Sequence, residues 1–194
     1  KLNLSLNVHL KNKDGYHSIT SYIVFLNLKD SLEIIPSKLN STRLYGEFSN
    51  CVDAKNNLIL EALNLSKKYN FNFKQFKVRL NKKIPVSAGL GGGSTNAAAI
   101  FRFFLKNGNL NLKKNLNIIA KLGSDIPACI YAQPLLSQGF GEKITLVKSS
   151  IKKDSPGFLL VKPNFSIKTK QAFSLLDSNN FIGKPNFSFH PDLG

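Results

Sequence analysis

Residues 84–100 read IPVSAGLGGGSTNAAAI. A strand-like start runs into four glycines between Gly89 and Gly93, and an alanine-rich helical pattern follows directly. Glycine lets the backbone approach a ligand closely, and the N–H groups at the start of a helix bind phosphate. An ordinary turn would not need four glycines leading into a capped helix. The segment therefore predicts a phosphate-binding loop.

This loop differs from two common nucleotide-binding patterns. It is not a Walker A sequence, because no Gly-Lys-Ser/Thr follows the glycines, and its spacing is not that of the dinucleotide fingerprint of a βαβ unit. Ser94, Thr95 and Asn96 follow the glycines instead. They stand where a helix N-terminus exposes unpaired N–H groups.

The chain around the loop mixes hairpin-like strands with helices. Period-two alternation predicts strands at residues 2–10, 22–26, 31–35, 76–80, 143–147 and 158–162. Helical spacing predicts helices at residues 58–68 and 113–122, the second ended by Gly123. The first strand should have one buried face. This mixture favours an α+β fold over a doubly wound parallel sheet.

Length and composition narrow the class of protein. The 194 residues suffice for one substantial domain, or for one domain and part of a second. Cys51 and Cys129 lack metal-ligand spacing, so we expect reduced thiols and no zinc site. No apolar run approaches the roughly 20 residues that cross a bilayer, which predicts a soluble, cytoplasmic protein. Since the chain begins at Lys1 and contains no methionine, we expect residues to precede it.

The net charge of +16 leaves a second class of function open. Such a charge is typical of proteins that bind nucleic acid or another anion, although codon bias could also produce it. The sequence contains no RNP-like aromatic motif, zinc-finger spacing or arginine-rich arm. A basic nucleic-acid-binding domain therefore stays an alternative, and its signature would be RNA affinity with a steep salt dependence.

Three separate segments resemble one known family. The segment from Pro85 to Ala98 is similar to the phosphate-binding motif of the GHMP kinases, and its triple glycine resembles the variant found in 4-diphosphocytidyl-2-C-methyl-D-erythritol kinases. Lys1-Leu2-Asn3-Leu4-x-Leu6 with Asp14-Gly15-Tyr16-His17 resembles the opening strand and substrate-binding turn of these kinases. Leu122-Gly123-Ser124-Asp125-Ile126-Pro127 resembles their catalytic aspartate segment.

The resemblance implies a fold and a domain organisation. Residues 1–150 would form the ATP-binding N-terminal domain of the GHMP-kinase fold, which resembles ribosomal protein S5 domain 2. Residues 151–194 would begin a ferredoxin-like C-terminal domain on the substrate side. That domain would be incomplete, because the chain stops before the second glycine-rich segment of the family.

The resemblance also implies roles for individual residues. Lys1 and Asp125 would be the catalytic pair, with Asp125 accepting a proton from the attacking hydroxyl and Lys1 stabilising developing charge. The substrate would contact Asn3, Tyr16, His17, Asp125, Thr169 and Phe173. ATP would be bound by Asn57, Pro85, Ser87, Gly89, Leu90, Gly91, Gly92, Gly93, Ser94, Thr95 and Asn96. The Ser94 hydroxyl would also lie near a magnesium ion.

Two details refine these roles. His17 offers hydrogen bonds to a pyrimidine edge and Phe173 a stacking face, although Tyr16 and His17 could also be hairpin packing. Four positions depart from the family pattern, and they are Ser87 for glycine, Thr95 for serine, Asn96 for aspartate and Ser124 for alanine.

The implied reaction is the ATP-dependent phosphorylation of the 2-hydroxyl of 4-diphosphocytidyl-2-C-methyl-D-erythritol, with magnesium, in the non-mevalonate route to isoprenoids. Another GHMP kinase, of the homoserine or mevalonate type, stays an alternative. The turn from Asp14 to His17 argues against it, because those substrates have no nucleobase to be recognised.

Overall fold

A computed structural model of the chain describes residues 1–11, 13, 15, 17–71, 74–108, 110–147, 157–162 and 169–178. The strands of this part are β1 (Leu2–Lys11), β2 (His17–Val24), β3 (Ser31–Ser37), β4 (Ser41–Tyr45), β5 (Gln75–Asn81), β6 (Leu135–Gly139) and β7 (Lys143–Leu146). Its α-helices are α1 (Leu58–Lys68), α2 (Gly92–Lys106), α3 (Leu112–Ala120), α4 (Ile126–Tyr131) and α5 (Thr169–Ser178). A 3-10 helix spans Ser49–Cys51.

The strands form two sheets. The order β1-β2-β6-β7 gives a four-stranded antiparallel sheet, and the order β3-β5-β4 gives a three-stranded mixed sheet. In the second sheet β5 pairs antiparallel with β3 and parallel with β4. The parallel pair is joined by a crossover through α1, as parallel neighbours require. The predicted α+β class is confirmed.

The main core lies between the three-stranded sheet and two helices. Val78 and Leu80 of β5, Ala62 of α1, and Ile100 and Phe101 of α2 are at most 1% exposed and belong to one cluster. Helix α1 begins where the Asn57 side chain accepts hydrogen bonds from the N–H groups of Ile59 and Leu60. Such caps stabilise a helix by about 1 kcal/mol.

A smaller core attaches α4 to the four-stranded sheet. Ile23 of β2 and Leu135 of β6 pack against Ala128 of α4. Phe25, just after β2, contacts both cores. The two sheets therefore hold α2 and α4 next to each other, and the segments before these helices meet.

The structure corrects several predictions. Helix α1 has the predicted bounds, α3 begins and ends slightly earlier than predicted, and β4, β6, α4 and α5 were not predicted. The face of β1 expected to be buried is not, since Leu4 and Leu6 are 43% and 51% exposed in the described part of the chain. Residues 158–162 form no strand. An apolar segment becomes a strand only where a neighbour pairs with it, and no described strand does so here.

The helices of the described part of the chain are too short to cross a membrane. The longest of them, α2, has 15 residues, and none is both long and apolar enough to span a bilayer.

Candidate active site

A cleft of about 1650 Å³ opens where the glycine loop, the start of β1 and the segment before α4 meet. Helix α5 also lines the cleft, through Phe173, Ser174 and Asp177. Most residues predicted for the site line this one cleft. They are Lys1, Asn3, His17, Asn57, Pro85, Ser87, Gly89, Leu90, Gly91, Gly92, Gly93, Ser94, Asn96, Asp125 and Phe173.

The glycine loop ends in a helix start that no side chain caps. Gly91 is the N-cap of α2, with φ of 64° in the left-handed region, and it makes no side-chain capping hydrogen bond. The N–H of Thr95 makes the first intrahelical bond, to the Gly91 carbonyl. The N–H groups of Gly92, Gly93 and Ser94 therefore have no acceptor within the helix and are suited to an anion.

The three polar residues after the glycines point in different directions. Ser94 lines the cleft. The Thr95 hydroxyl donates back to the Gly92 carbonyl at 2.9 Å. Asn96 is only 4% exposed, and its Nδ2 donates to Oδ2 of Asp30 at 2.9 Å. The Asn96 amide nitrogen is thus engaged in a hydrogen bond within the protein.

Asp30 and Lys82 form a buried ion pair beneath the loop. Nζ of Lys82 lies 2.8 Å from Oδ2 of Asp30, and the side chains are 4% and 1% exposed. The other carboxylate oxygen accepts the N–H groups of Lys83 and Ile84 at 2.7 and 2.8 Å. Burial acts to raise the pKa of Asp30, but these hydrogen bonds and that of Asn96 together lower it. Asp30 therefore stays ionised and ties the start of the loop to α2.

This ion pair was not predicted from the sequence, although β5 carries a signal for it. The alternation that buries Phe76, Val78 and Leu80 continues to Lys82, which places a lysine on the core side. A Cβ atom added at Gly92 would lie 3.0 Å from its Nζ. The Lys82 ammonium group therefore sits directly against the first turn of α2.

The predicted catalytic pair is assembled in the structure. Nζ of Lys1 lies 3.0 Å from Oδ2 of Asp125, with side chains 7% and 34% exposed. The same Nζ donates to Oδ1 of Asn3 at 2.6 Å. Asn3 in turn donates to the hydroxyl of the buried Ser21 at 2.7 Å, and that hydroxyl donates to the Ser5 carbonyl. This relay fixes the Asn3 amide with its oxygen towards Lys1.

The Lys1–Asp125 pair touches the glycine loop. The main-chain nitrogen of Lys1 donates to the Leu90 carbonyl at 3.0 Å, and a Cβ atom added at Gly91 would lie 2.8 Å from Cε of Lys1. Asp125 occupies the N-cap position of α4, yet its side chain makes no capping hydrogen bond. One oxygen of this carboxylate binds Lys1, and the group remains open to the cleft.

The turn between β6 and β7 supports the aspartate from behind. Gly141 has φ of 103°, and a Cβ atom there would collide with the Ser124 carbonyl. The turn thus packs directly on the residue before Asp125.

At the far end of the cleft the ring nitrogens of His17 are both engaged by protein. Nδ1 contacts the His9 carbonyl and Nε2 contacts Oδ1 of Asp177, each at 2.7 Å. The His9 carbonyl, followed by Asp177, raises the pKa of His17. The ring stacks on Phe173 with centroids 5.6 Å apart. His17 was predicted to form hydrogen bonds to the edge of a base. In this arrangement its ring could do so only by giving up its contact with His9 or with Asp177.

The remaining predicted residues have other surroundings. The Asn57 side chain caps α1 and also donates to the Asp53 carbonyl at 2.9 Å, so it shapes the rim of the cleft. Thr169 is the first residue of α5, but its side chain lies outside the described part, as does Tyr16. Among the described residues no group of three histidine, cysteine or acidic side chains could hold a metal ion.

Comparison with known proteins places this site in a family. The profile of the GHMP kinases N terminal domain matches residues 57–133, the stretch that runs from Asn57 past the loop and Asp125. Residues 57–133 therefore match the N-terminal domain of the GHMP kinases.

Relatives extend the similarity beyond that domain. The chain is 37% identical over 191 residues to the 4-diphosphocytidyl-2-C-methyl-D-erythritol kinase of Pseudothermotoga lettingae, covering 97% of the chain and 66% of the relative. It is 37% identical over 194 residues to the enzyme of that name from Buchnera aphidicola, covering 95% and 65%. The chain thus spans just under two thirds of the length of these relatives.

A solved structure shows the same fold. The crystal structure of a 4-(cytidine 5'-diphospho)-2C-methyl-D-erythritol kinase superposes with a TM-score of 0.58 at 26% identity, over 75% of this chain and 52% of that protein. The predicted GHMP-kinase fold is confirmed.

Proposed function

We propose that the protein phosphorylates the 2-hydroxyl of 4-diphosphocytidyl-2-C-methyl-D-erythritol with ATP, a step of non-mevalonate isoprenoid synthesis. One observation carries the chemistry. The aliphatic part of the Lys1 side chain lies against Gly91 of the loop, and its ammonium nitrogen lies 3.0 Å from Oδ2 of Asp125. A phosphate on the loop and a hydroxyl beside Asp125 would therefore both reach the same cation.

In the proposed reaction, different residues of the cleft bind the nucleotide, accept the proton and stabilise charge. The loop and the first turn of α2 hold the triphosphate through N–H groups. The acceptor oxygen attacks the γ-phosphorus as the bond to the β,γ-bridging oxygen breaks and ADP leaves. Asp125 takes the proton of the acceptor hydroxyl, and Lys1 stabilises the negative charge on the oxygens around phosphorus.

Magnesium fits this site only as a partner of the nucleotide. Mg²⁺ commonly binds through phosphate oxygens and one or two protein oxygens, and the Ser94 hydroxyl on the cleft wall is the ligand we propose. The ion would neutralise charge on the phosphates.

The acceptor assignment rests on the relatives and on the far end of the cleft. The relatives are named for an acceptor that carries a cytidine diphosphate. His17 and Phe173 offer aromatic faces at the cleft wall, and such faces suit a pyrimidine ring. We place the ATP-binding domain in residues 1–150 and the start of a substrate-side domain in residues 151–194. We expect the protein to act in the cytoplasm, on soluble metabolites.

A transfer assay on the intact protein tests the proposal. ATP is supplied with magnesium and one of three acceptors, and we expect ADP formation with 4-diphosphocytidyl-2-C-methyl-D-erythritol but not with homoserine or mevalonate. Cytidine 5'-diphosphate should compete with the acceptor and leave the KM of ATP unchanged. Turnover of homoserine or mevalonate in preference would reject the assignment.

A further inference from the structure

Asp177 connects α5 to the first hairpin through two charged contacts. Its Oδ2 lies 2.7 Å from Nζ of Lys11 on β1, and its Oδ1 lies 2.7 Å from Nε2 of His17 on β2. Lys11 and His17 are paired residues of the two strands. One carboxylate thus joins both strands of the hairpin at the cleft wall.

The position of Asp177 argues for a role beyond helix stability. It lies in the last turn of α5, where no basic residue is present. A negative charge near a helix C-terminus is unfavourable, because it faces the negative end of the helix dipole. Its contacts with Lys11 and His17 therefore explain this aspartate better than any benefit to α5.

The hydrogen-bond partners fix the protonation state of His17. A carbonyl oxygen only accepts, so Nδ1 of His17 donates to the His9 carbonyl. With Nδ1 protonated, a neutral ring would present a lone pair at Nε2 to a carboxylate that also only accepts. The contact with Asp177 is therefore made by the imidazolium ion, as the raised pKa of His17 also indicates.

Phe173 depends on the same contact. It lies one helical turn before Asp177 on α5, on the same side of the helix, and stacks on the His17 ring. The described charged groups that act on this ring are Asp177 from α5 and Lys11 from β1. When His17 loses its Nε2 proton, Asp177 keeps only Lys11, and the anchor that aligns the two rings is lost.

We propose that Asp177 is a positioning residue of the acceptor side of the cleft, which holds protonated His17 against Phe173 and so sets acceptor affinity without affecting ATP. This inference rests on the proposed function, because it assigns the aromatic pair to the acceptor. Asp177 itself need not touch the substrate.

The test compares Asp177→Asn with two matched variants in the intact protein. Asp177→Glu retains the negative charge and should recover part of the acceptor affinity that Asp177→Asn loses. Gln171→Ala alters an exposed residue of the same helix and should behave like the parent. Asp177 is exposed, so neither of its variants threatens the fold. The His17 ring resonance, assigned by its loss in His17→Gln, and both KM values are followed from about pH 5.5 to about pH 8.5, the range in which histidine titrates.

We expect the pKa of His17 to fall in Asp177→Asn. The KM of the acceptor should rise roughly two- to fivefold at the acidic end, the range of a partly exposed charged contact, and approach the parental value at the alkaline end. The KM of ATP should stay constant. An unchanged titration of His17, an unchanged acceptor KM, or equal increases in both KM values would each overturn the proposal. If the parent does not use the acceptor, the proposed function fails, and the ring titration alone then decides the role of Asp177.

Discussion

Nζ of Lys82 lies 2.8 Å from Oδ2 of Asp30, and both side chains are buried beneath the glycine loop. Removal of one partner from a buried ion pair leaves the other charge uncompensated, at a cost of about 3 to 5 kcal/mol. We therefore expect Asp30→Asn to lower the free energy of unfolding by about 3 kcal/mol, measured in urea. Calorimetry should also show weaker ATP binding, because Asp30 holds the start of the loop and Asn96 of α2.

The surface pair of Arg79 and Glu33 is the control. Its contact distance is 2.9 Å, but its side chains are 45% and 54% exposed. Glu33→Gln should change the free energy of unfolding by less than about 1 kcal/mol. Equal losses in the two variants would show that burial of Asp30 does not determine the cost.

Low pH should remove the contribution of Asp30 to the free energy of unfolding. Its pKa in the folded protein is lowered from 3.8, so the carboxylate stabilises the fold fully above that value. The contribution is lost as the pH falls through the folded pKa, because the unfolded chain then binds more protons. The difference in unfolding free energy between the parent and Asp30→Asn should therefore narrow below pH 3.8. A constant difference across this range would contradict the assignment.

Gly91→Ala should reduce turnover by displacing Lys1. The added Cβ would lie 2.8 Å from Cε of Lys1, at a residue with φ of 64°. Gly108 has φ of 73° with open space around it, so Gly108→Ala carries the backbone strain alone. Both variants should lose about 1 kcal/mol of stability, but only Gly91→Ala should lose about tenfold or more in kcat, since small misplacements of reacting groups are costly. Comparable kcat values in the two variants would reject the role of Lys1.

Asp125→Asn should keep the shape of the site and remove its base. We expect kcat to fall by about 10² to 10⁴, towards the low end if positioning and charge dominate phosphoryl transfer. Substitution of Lys1 by methionine should also lower kcat. The double variant should lose less than the sum of the single free-energy losses, because groups that act as a unit are not additive. Parental turnover in Asp125→Asn would remove the aspartate from the mechanism.

Ser87→Gly should stabilise the protein. Ser87 has φ of 55°, a left-handed conformation that costs most residues about 1 kcal/mol or more. Glycine relieves this strain, but it also raises the conformational entropy of the unfolded chain, and this offsets part of the gain. We therefore expect the free energy of unfolding to rise by up to about 1 kcal/mol. Ala132→Gly, at φ of 51°, is the matched substitution outside the loop. A loss in Ser87→Gly alone would show that the serine side chain itself stabilises the loop.

The sequence predicted what local patterns determine. The glycine loop, α1 and β5 follow from spacing within single segments, and these predictions agree with the structure. The strand β4 was missed because its five residues show no clear alternation and its pairing depends on β5. Residues 158–162 were predicted as a strand from their apolar composition, but no strand of the described part of the chain forms a ladder with them.

The glycine loop was predictable from its own residues, whereas the other site residues were predictable only as far as the family resemblance reached. Lys1, Asp125 and the loop carried motif information, and the structure brings them together. Asp30 and Asp177 carried none, because each acts through partners that are distant along the chain. A charged residue with a remote partner looks like a surface residue in sequence. Tertiary contacts alone show that Asp30 is internal.

The contact between Lys1 and Asp125 also constrains the order in which the protein folds. Lys1 is bonded to Leu90, 89 positions along the chain, and to Asp125 still further on. Helices and the first hairpin need only neighbouring residues and form early, whereas contacts between distant residues form slowly. The cleft is therefore completed only when β1, the loop and α4 have docked. A collapsed intermediate would contain helices but not the contact between Lys1 and Asp125.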